Sequence, residues 1–148
     1  LQDKGYIGFR QNRIYVNNAK RVQCKKAIAI KLLGPCYYTV KIIDHDPNFR
    51  FTIAEKIDVK MDGKEFLQSD LTSTIMTQFY SLRLPVEDIS DMTGKSVAVV
   101  EKTIEQINRL HLVMKMADKN NVSDLHQGQF VWAMRPDTKK MDWILADW

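Results

Sequence analysis

Along the first third of the chain apolar residues alternate with polar ones, and from Ser69 onward they recur at steps of three and four. The first pattern belongs to half-buried strands and the second to amphipathic helices. Residues 6–10 and 13–16 carry β-branched and aromatic side chains on either side of Gln11-Asn12, a spacing that predicts a hairpin. Residues 26–33 fit strand or helix equally and stop at Gly34-Pro35. Residues 37–43 and 49–59 predict two further strands joined by a polar turn over 44–48, with Met61-Asp62-Gly63-Lys64 closing another hairpin or ending the sheet.

The helical part begins where Ser69 or Asp70 caps a helix over 71–82, with Ile75, Phe79 and Leu82 on one face. Pro85 suits the first position of a short second helix, and Gly94 ends it, because a residue without Cβ takes the left-handed conformation freely. Ser96 then starts a third helix whose apolar stripe runs through Val97, Val100, Ile104, Ile107, His111 and Met114 to about residue 118. After a polar connection over 120–129, residues 130–134 and 141–146 predict two strands around a turn at 135–138. The expected fold is therefore α+β: a basic β-rich region over 1–63, a helical region over 64–118, and a loop with a C-terminal β-hairpin over 119–148.

Composition adds limits. A chain of 148 residues with 45% hydrophobic residues is long enough for a packed core without staples. No apolar run approaches the roughly 18 residues of a membrane span, and no short apolar leader follows the N-terminus, which points to a cytoplasmic protein. The first residue is Leu1 rather than Met, which leaves room for a leader or domain upstream. Cys24 and Cys36 lack the spacing of a zinc site or of a disulfide framework and are expected as free, buried thiols.

Charge changes the picture more. Residues 1–31 hold Lys4, Arg10, Arg13, Lys20, Arg21, Lys25, Lys26 and Lys31 against the single acid Asp3, so more than the whole net charge of +4 resides there. Clustered cations release counterions from a polyanion, and Lys20, Arg21, Lys25 and Lys26 are candidate phosphate contacts.

The strongest motif spans 84–107. Ile89 supplies an inward hydrophobe, the small Ser90 permits close helix approach, Gly94 makes the turn, and Val100 packs the next helix onto the first. This stretch resembles the helix-turn-helix units of bacterial regulators, and also a short segment of transposase-associated nucleases. It departs from them at Lys95, where a hydrophobe usually follows the turn glycine. The resemblance implies a protein that binds double-stranded DNA, as a transcriptional regulator or a phage or mobile-element protein, and such modules often act as homodimers. It assigns Lys95, Ser96, Lys102, Gln106 and Arg109 to the exposed face of the third helix, where they would meet phosphates and base edges. The C-terminal hairpin fits the wing of a winged helix, with Arg135, Lys139 and Lys140 at its tip.

Other signals compete. Lys4-Gly5-Tyr6-Ile7-Gly8-Phe9 is similar to the aromatic strand of an RNA-recognition motif, but one extra residue puts Tyr6 and Phe9 on opposite faces. Thr93-Gly94-Lys95-Ser96 resembles the end of a phosphate-binding loop but lacks a glycine where Ile89 stands. Asp44, Asp58 and Lys60 would form a metal-dependent nuclease site only if they converge. His111 is expected to pack, His126 to sit in a loop, and Trp132, Trp143 and Trp148 to anchor a core or an interface. No nucleophile with an identifiable base emerges, so neither an enzyme activity nor a cofactor is expected, and a protein-interaction module is the main alternative to DNA binding.

Overall fold

The computed structural model describes the backbone of residues 6–10 and, in full, residues 16, 17, 19–21, 23, 24, 37–119 and 125–146. The chain is mixed α+β. Strands β1 (Tyr6–Arg10), β4 (Phe51–Glu55) and β3 (Ile42–His45) form one antiparallel sheet in the order β1-β4-β3. A second, mixed sheet has the order β2-β7-β6-β5, built from β2 (Tyr38–Thr39), β5 (Met61–Asp62), β6 (Phe130–Met134) and β7 (Met141–Leu145).

The predicted β3–β4 and β6–β7 hairpins are both present. Of the first N-terminal hairpin, the arm over 6–10 is a strand that pairs with β4, residues 11–15 lie outside the described residues, and Val16, expected at the end of the second arm, is buried and helical along with described residues 17, 19–21, 23 and 24. Residues 26–33 and Cys36 lie outside the described residues. Cys24 is exposed rather than buried. The stretch 37–43 divides between the sheets: β2 runs parallel to β7, while a bulge after Ile42 leads into β3 and leaves Ile43 exposed. Tyr38 Oη donates to Glu55 Oε1 and ties the sheets together, and burial, then this bond and the Glu55 charge, hold the phenol above its ordinary range.

The three regions expected from sequence are thus interleaved in space. β2 from the first and β7 from the last lie side by side, and β5 pairs with β6. β5 also leads straight into helix α1 (Gly63–Gln68), which the sequence pattern did not reveal; Asp62 caps it by accepting from Glu65 N. Gly63 is required there because a Cβ would collide with the carbonyl oxygen of Gln127.

Ser69 caps helix α2 (Asp70–Ile75) by accepting from Thr72 N, as the sequence predicts. The helix continues as a π-helical turn over Met76–Ser81, which closes through Leu82 N donating to Thr77 O. Helices α3 (Val86–Thr93) and α4 (Val97–Lys119) follow. Val100, Ile104, Ile107, Leu110, Val113 and Ala117 of α4 are buried. That stripe departs from the expected one near its ends, since Val97 and His111 are exposed and Met114 is half-buried.

The core lies between α4 with its companion helices and the four-stranded sheet. Trp143 is fully buried at its centre, with ring centroids 5.1 Å from both Phe66 and Trp132. Its Nε1 donates to Gln106 O at 2.9 Å, so the indole's single polar group is satisfied by α4 itself. No helix among the described residues is long and apolar enough to cross a membrane.

Candidate nucleic-acid interface

The turn between α3 and α4 is assembled from local bonds. Asp88 N and Ile89 N donate to Pro85 O, and Glu87 and Asp88 place negative charge in the first turn of α3, where the helix dipole favours it. Ile89 is fully buried. At the other end Gly94 adopts φ 71° and its N–H donates to Ser90 O at 3.0 Å. A Cβ at Gly94 would meet nothing within 4 Å, so its left-handed backbone, and not lack of space, calls for glycine.

Side chains lock the turn further. Thr93 Oγ1 donates to Ile89 O at 2.8 Å, and Ser90 Oγ donates to Lys95 O across the turn. Ser96 Oγ accepts from Val99 N at 3.2 Å and caps α4, while Val100, fully buried, secures the first turns of that helix. The polar Lys95 is tolerated after the glycine because its side chain is exposed. From Lys95 to Val99 the start of α4 faces outward, and Lys102 is exposed one turn further on. The 23-residue helix is about 34 Å long at the usual rise. Tyr80 Oη donates to Asn108 Oδ1 and braces its middle against the π-turn.

Not all the residues expected on the outer face are there. Gln106 is buried. Arg109 is held by Asp142, with Nε and a terminal nitrogen 2.8 and 2.9 Å from the two carboxylate oxygens. Arg135, expected at the hairpin tip, is only 5% exposed and lies beneath the tip. It donates to Asp142 at 3.1 Å and, through Nε and its second terminal nitrogen, to Asp137 at 3.0 and 2.8 Å. The Asp137 partnership raises the Arg135 pKa and lowers that of Asp137. The reason these cations point inward is Asp142. As the one carboxylate in the buried run Asp142–Leu145, it needs cations within reach, and it takes one from α4 and one from β6–β7. The Arg135 guanidinium also lies 5.9 Å from the centroid of the Tyr38 ring, which links the cluster to β2.

Lys139 and Lys140 do occupy the hairpin turn and are exposed, with Lys139 at φ 59°. Lys20 and Arg21 are exposed on the N-terminal helical residues, whereas Lys25 and Lys26 lie outside the described residues. Between α4 and the hairpin runs an open cleft of about 500 Å³. It gathers Lys102, Gln106, Arg109, Arg135 and Lys140, five residues that the sequence reading distributed between helix and wing.

Sequence reasoning missed Asp137 and Asp142, although a lone Asp before the apolar run Trp143–Leu145 is itself a signal that a buried cation awaits it. The nuclease candidates do not assemble. Asp58 pairs with Lys60 at 2.9 Å, Asp44 accepts from its neighbour His45 N, and no three His, Cys, Asp or Glu side chains form a metal-binding group among the described residues. His126 sits in the connection as expected, but it is bonded: its Nδ1 accepts from Gly128 N and its own N–H donates to Gln129 Oε1. Trp132 and Trp143 pack with the core, and Trp148 lies outside the described residues. No protein-family model, curated protein or solved structure matches the chain.

Proposed function

We propose that the chain binds double-stranded DNA through the α3–turn–α4 unit, in the manner of a transcriptional regulator or a phage or mobile-element protein. The observation that carries this reading is the start of α4. It is fixed from behind by Ile89, Gly94 and Val100, yet presents Lys95, Ser96 and Lys102 outward on an element that fits a major groove. The β6–β7 turn acts as a wing, with Lys139 and Lys140 placed for backbone phosphates, and Lys20 and Arg21 add sequence-independent attraction. Arg109 and Arg135 leave the outer face of α4 and the wing tip in this reading and serve to fix the hairpin against α4 through Asp142, and Gln106 is not on the outer face. The test is fluorescence anisotropy with a mixed-sequence duplex at two salt concentrations. Affinity that falls steeply with salt supports the reading, and no binding at low salt removes it. Homodimerisation on paired half-sites, checked by light scattering, completes it.

A protein-interaction reading draws on a specific observation, the exposure of Leu82, Met92 and Val99 around the same helices. Under that reading, substituting these three by Ser abolishes partner capture and leaves duplex affinity at its background value. Under the DNA reading the same variant keeps its salt dependence.

A further inference from the structure

The cleft between α4 and the hairpin contains a polar group with no use inside the protein. Gln106 is 8% exposed, and its side-chain amide has no hydrogen-bond partner among the described residues; the contact it makes with the hairpin is through its backbone carbonyl, which accepts from Trp143 Nε1. Buried amides are almost always paired. Among the described residues Thr52 Oγ1 is the one side-chain polar atom both sealed from solvent and unbonded, so the Gln106 amide keeps access to solvent, and it does so through the cleft that it lines. A group with two N–H donors and one carbonyl acceptor therefore lines a preformed site.

The walls state what would be welcome there. Lys102 on α4 and Lys140 on the hairpin line opposite sides, and neither takes part in an ion pair among the described residues. Thr138 adds a hydroxyl from the turn. The two arginines are engaged by Asp142 and Asp137, which leaves the lysines as the cations of the site without an ion pair among the described residues and Glu105 as the opposing charge. Ammonium groups from two sides, an amide and a hydroxyl make a donor set for an anion with several acceptor oxygens.

We propose that this cleft binds a phosphate group, held by Lys102, Lys140 and the Gln106 side-chain amide. The phosphate belongs either to a nucleic-acid backbone or to a small phosphorylated molecule. The site does not depend on duplex binding, since either source uses the same donors. By bridging α4 and the hairpin, the bound group would couple its own occupancy to the position of the wing.

The test follows the side-chain amide of Gln106 and the indole N–H of Trp132, which also lines the cleft, by NMR of ¹⁵N-labelled protein. Inorganic phosphate and a mixed-sequence duplex are titrated separately. Movement of both signals with inorganic phosphate and not with the duplex establishes a small-molecule source, movement with the duplex alone establishes a backbone source, and movement with each establishes a site for the phosphate group they share. Gln106→Leu lowers the affinity on the order of tenfold, the loss of one hydrogen bond to a charged group. Lys140→Gln, in an exposed turn where folding is not at stake, weakens binding and reduces the salt slope for the duplex by about one. Glu105→Gln tightens binding a few-fold. If neither ligand moves the two signals, the proposal is wrong. If the duplex shifts the backbone amides of Lys95 and Ser96 while both cleft signals stay still and phosphate is silent, the cleft is wrong and DNA binding stands.

Discussion

Helix α4 is held at its two halves by different kinds of interaction. At its start, neutral hydrogen bonds between residues no more than five apart, together with two buried aliphatic side chains, fix the turn from α3. Further along, Arg109 reaches across 33 positions to Asp142, which Arg135 also engages, and the hairpin is pinned by charge. The first arrangement is cheap to form, because few residues need to be ordered before its bonds close. The second depends on the rest of the fold being in place, since its ions are stable in the interior only as a set.

Asp142→Ala removes the shared anion and leaves Arg135 buried beside Asp137 alone, so a loss of about 3–5 kcal/mol in denaturant unfolding is expected. A loss below about 1 kcal/mol would mean that the junction tolerates water and that the two halves of α4 are held alike. Gly94→Ala forces a Cβ into the left-handed region at the turn and costs about 1–2 kcal/mol, with no contribution from steric overlap. Ser96→Ala removes the cap of α4 and costs about 1 kcal/mol, with faster amide exchange confined to the first turn as the distinguishing sign.

The smallest effect concerns pH. Arg135 holds the Asp137 carboxyl below its ordinary range, so the pair's contribution is complete above the usual carboxylate pKa of about 4 and is lost as the pH falls through the lowered value. Asp137 is 43% exposed, and solvent screening keeps the contribution modest. Wild type should therefore lose slightly more stability than Asp137→Asn between about pH 4 and pH 2 in parallel acid titrations.

The same contrast explains what could be seen in the sequence. The Ser69 cap, the glycine stop at 94, the Ser96 cap and the β6–β7 hairpin are written in neighbouring residues, and each appears where local chemistry puts it. The pairing of β1 with β4 and of β2 with β7 joins residues dozens of positions apart, for which alternation gives no partner. Helix α1 was hidden because six residues are too few to establish a period. At the candidate interface, the exposure of Lys95, Ser96 and Lys102 was legible through the resemblance to a helix-turn-helix unit. Gln106, Arg109 and Arg135 were not, because spacing ranks a face as outer without knowing that a hairpin carrying Asp142 will cover it.

If the exposed start of α4 is the surface that meets DNA, duplex affinity followed by anisotropy at low salt must separate wild type from a Lys95→Glu, Lys102→Glu double variant. Both side chains are exposed and neither takes part in an ion pair among the described residues, so the variant should keep its fold, which circular dichroism checks. The account predicts salt-dependent binding by wild type and its near-complete loss in the variant. Equal affinity of the two proteins for the duplex would contradict it.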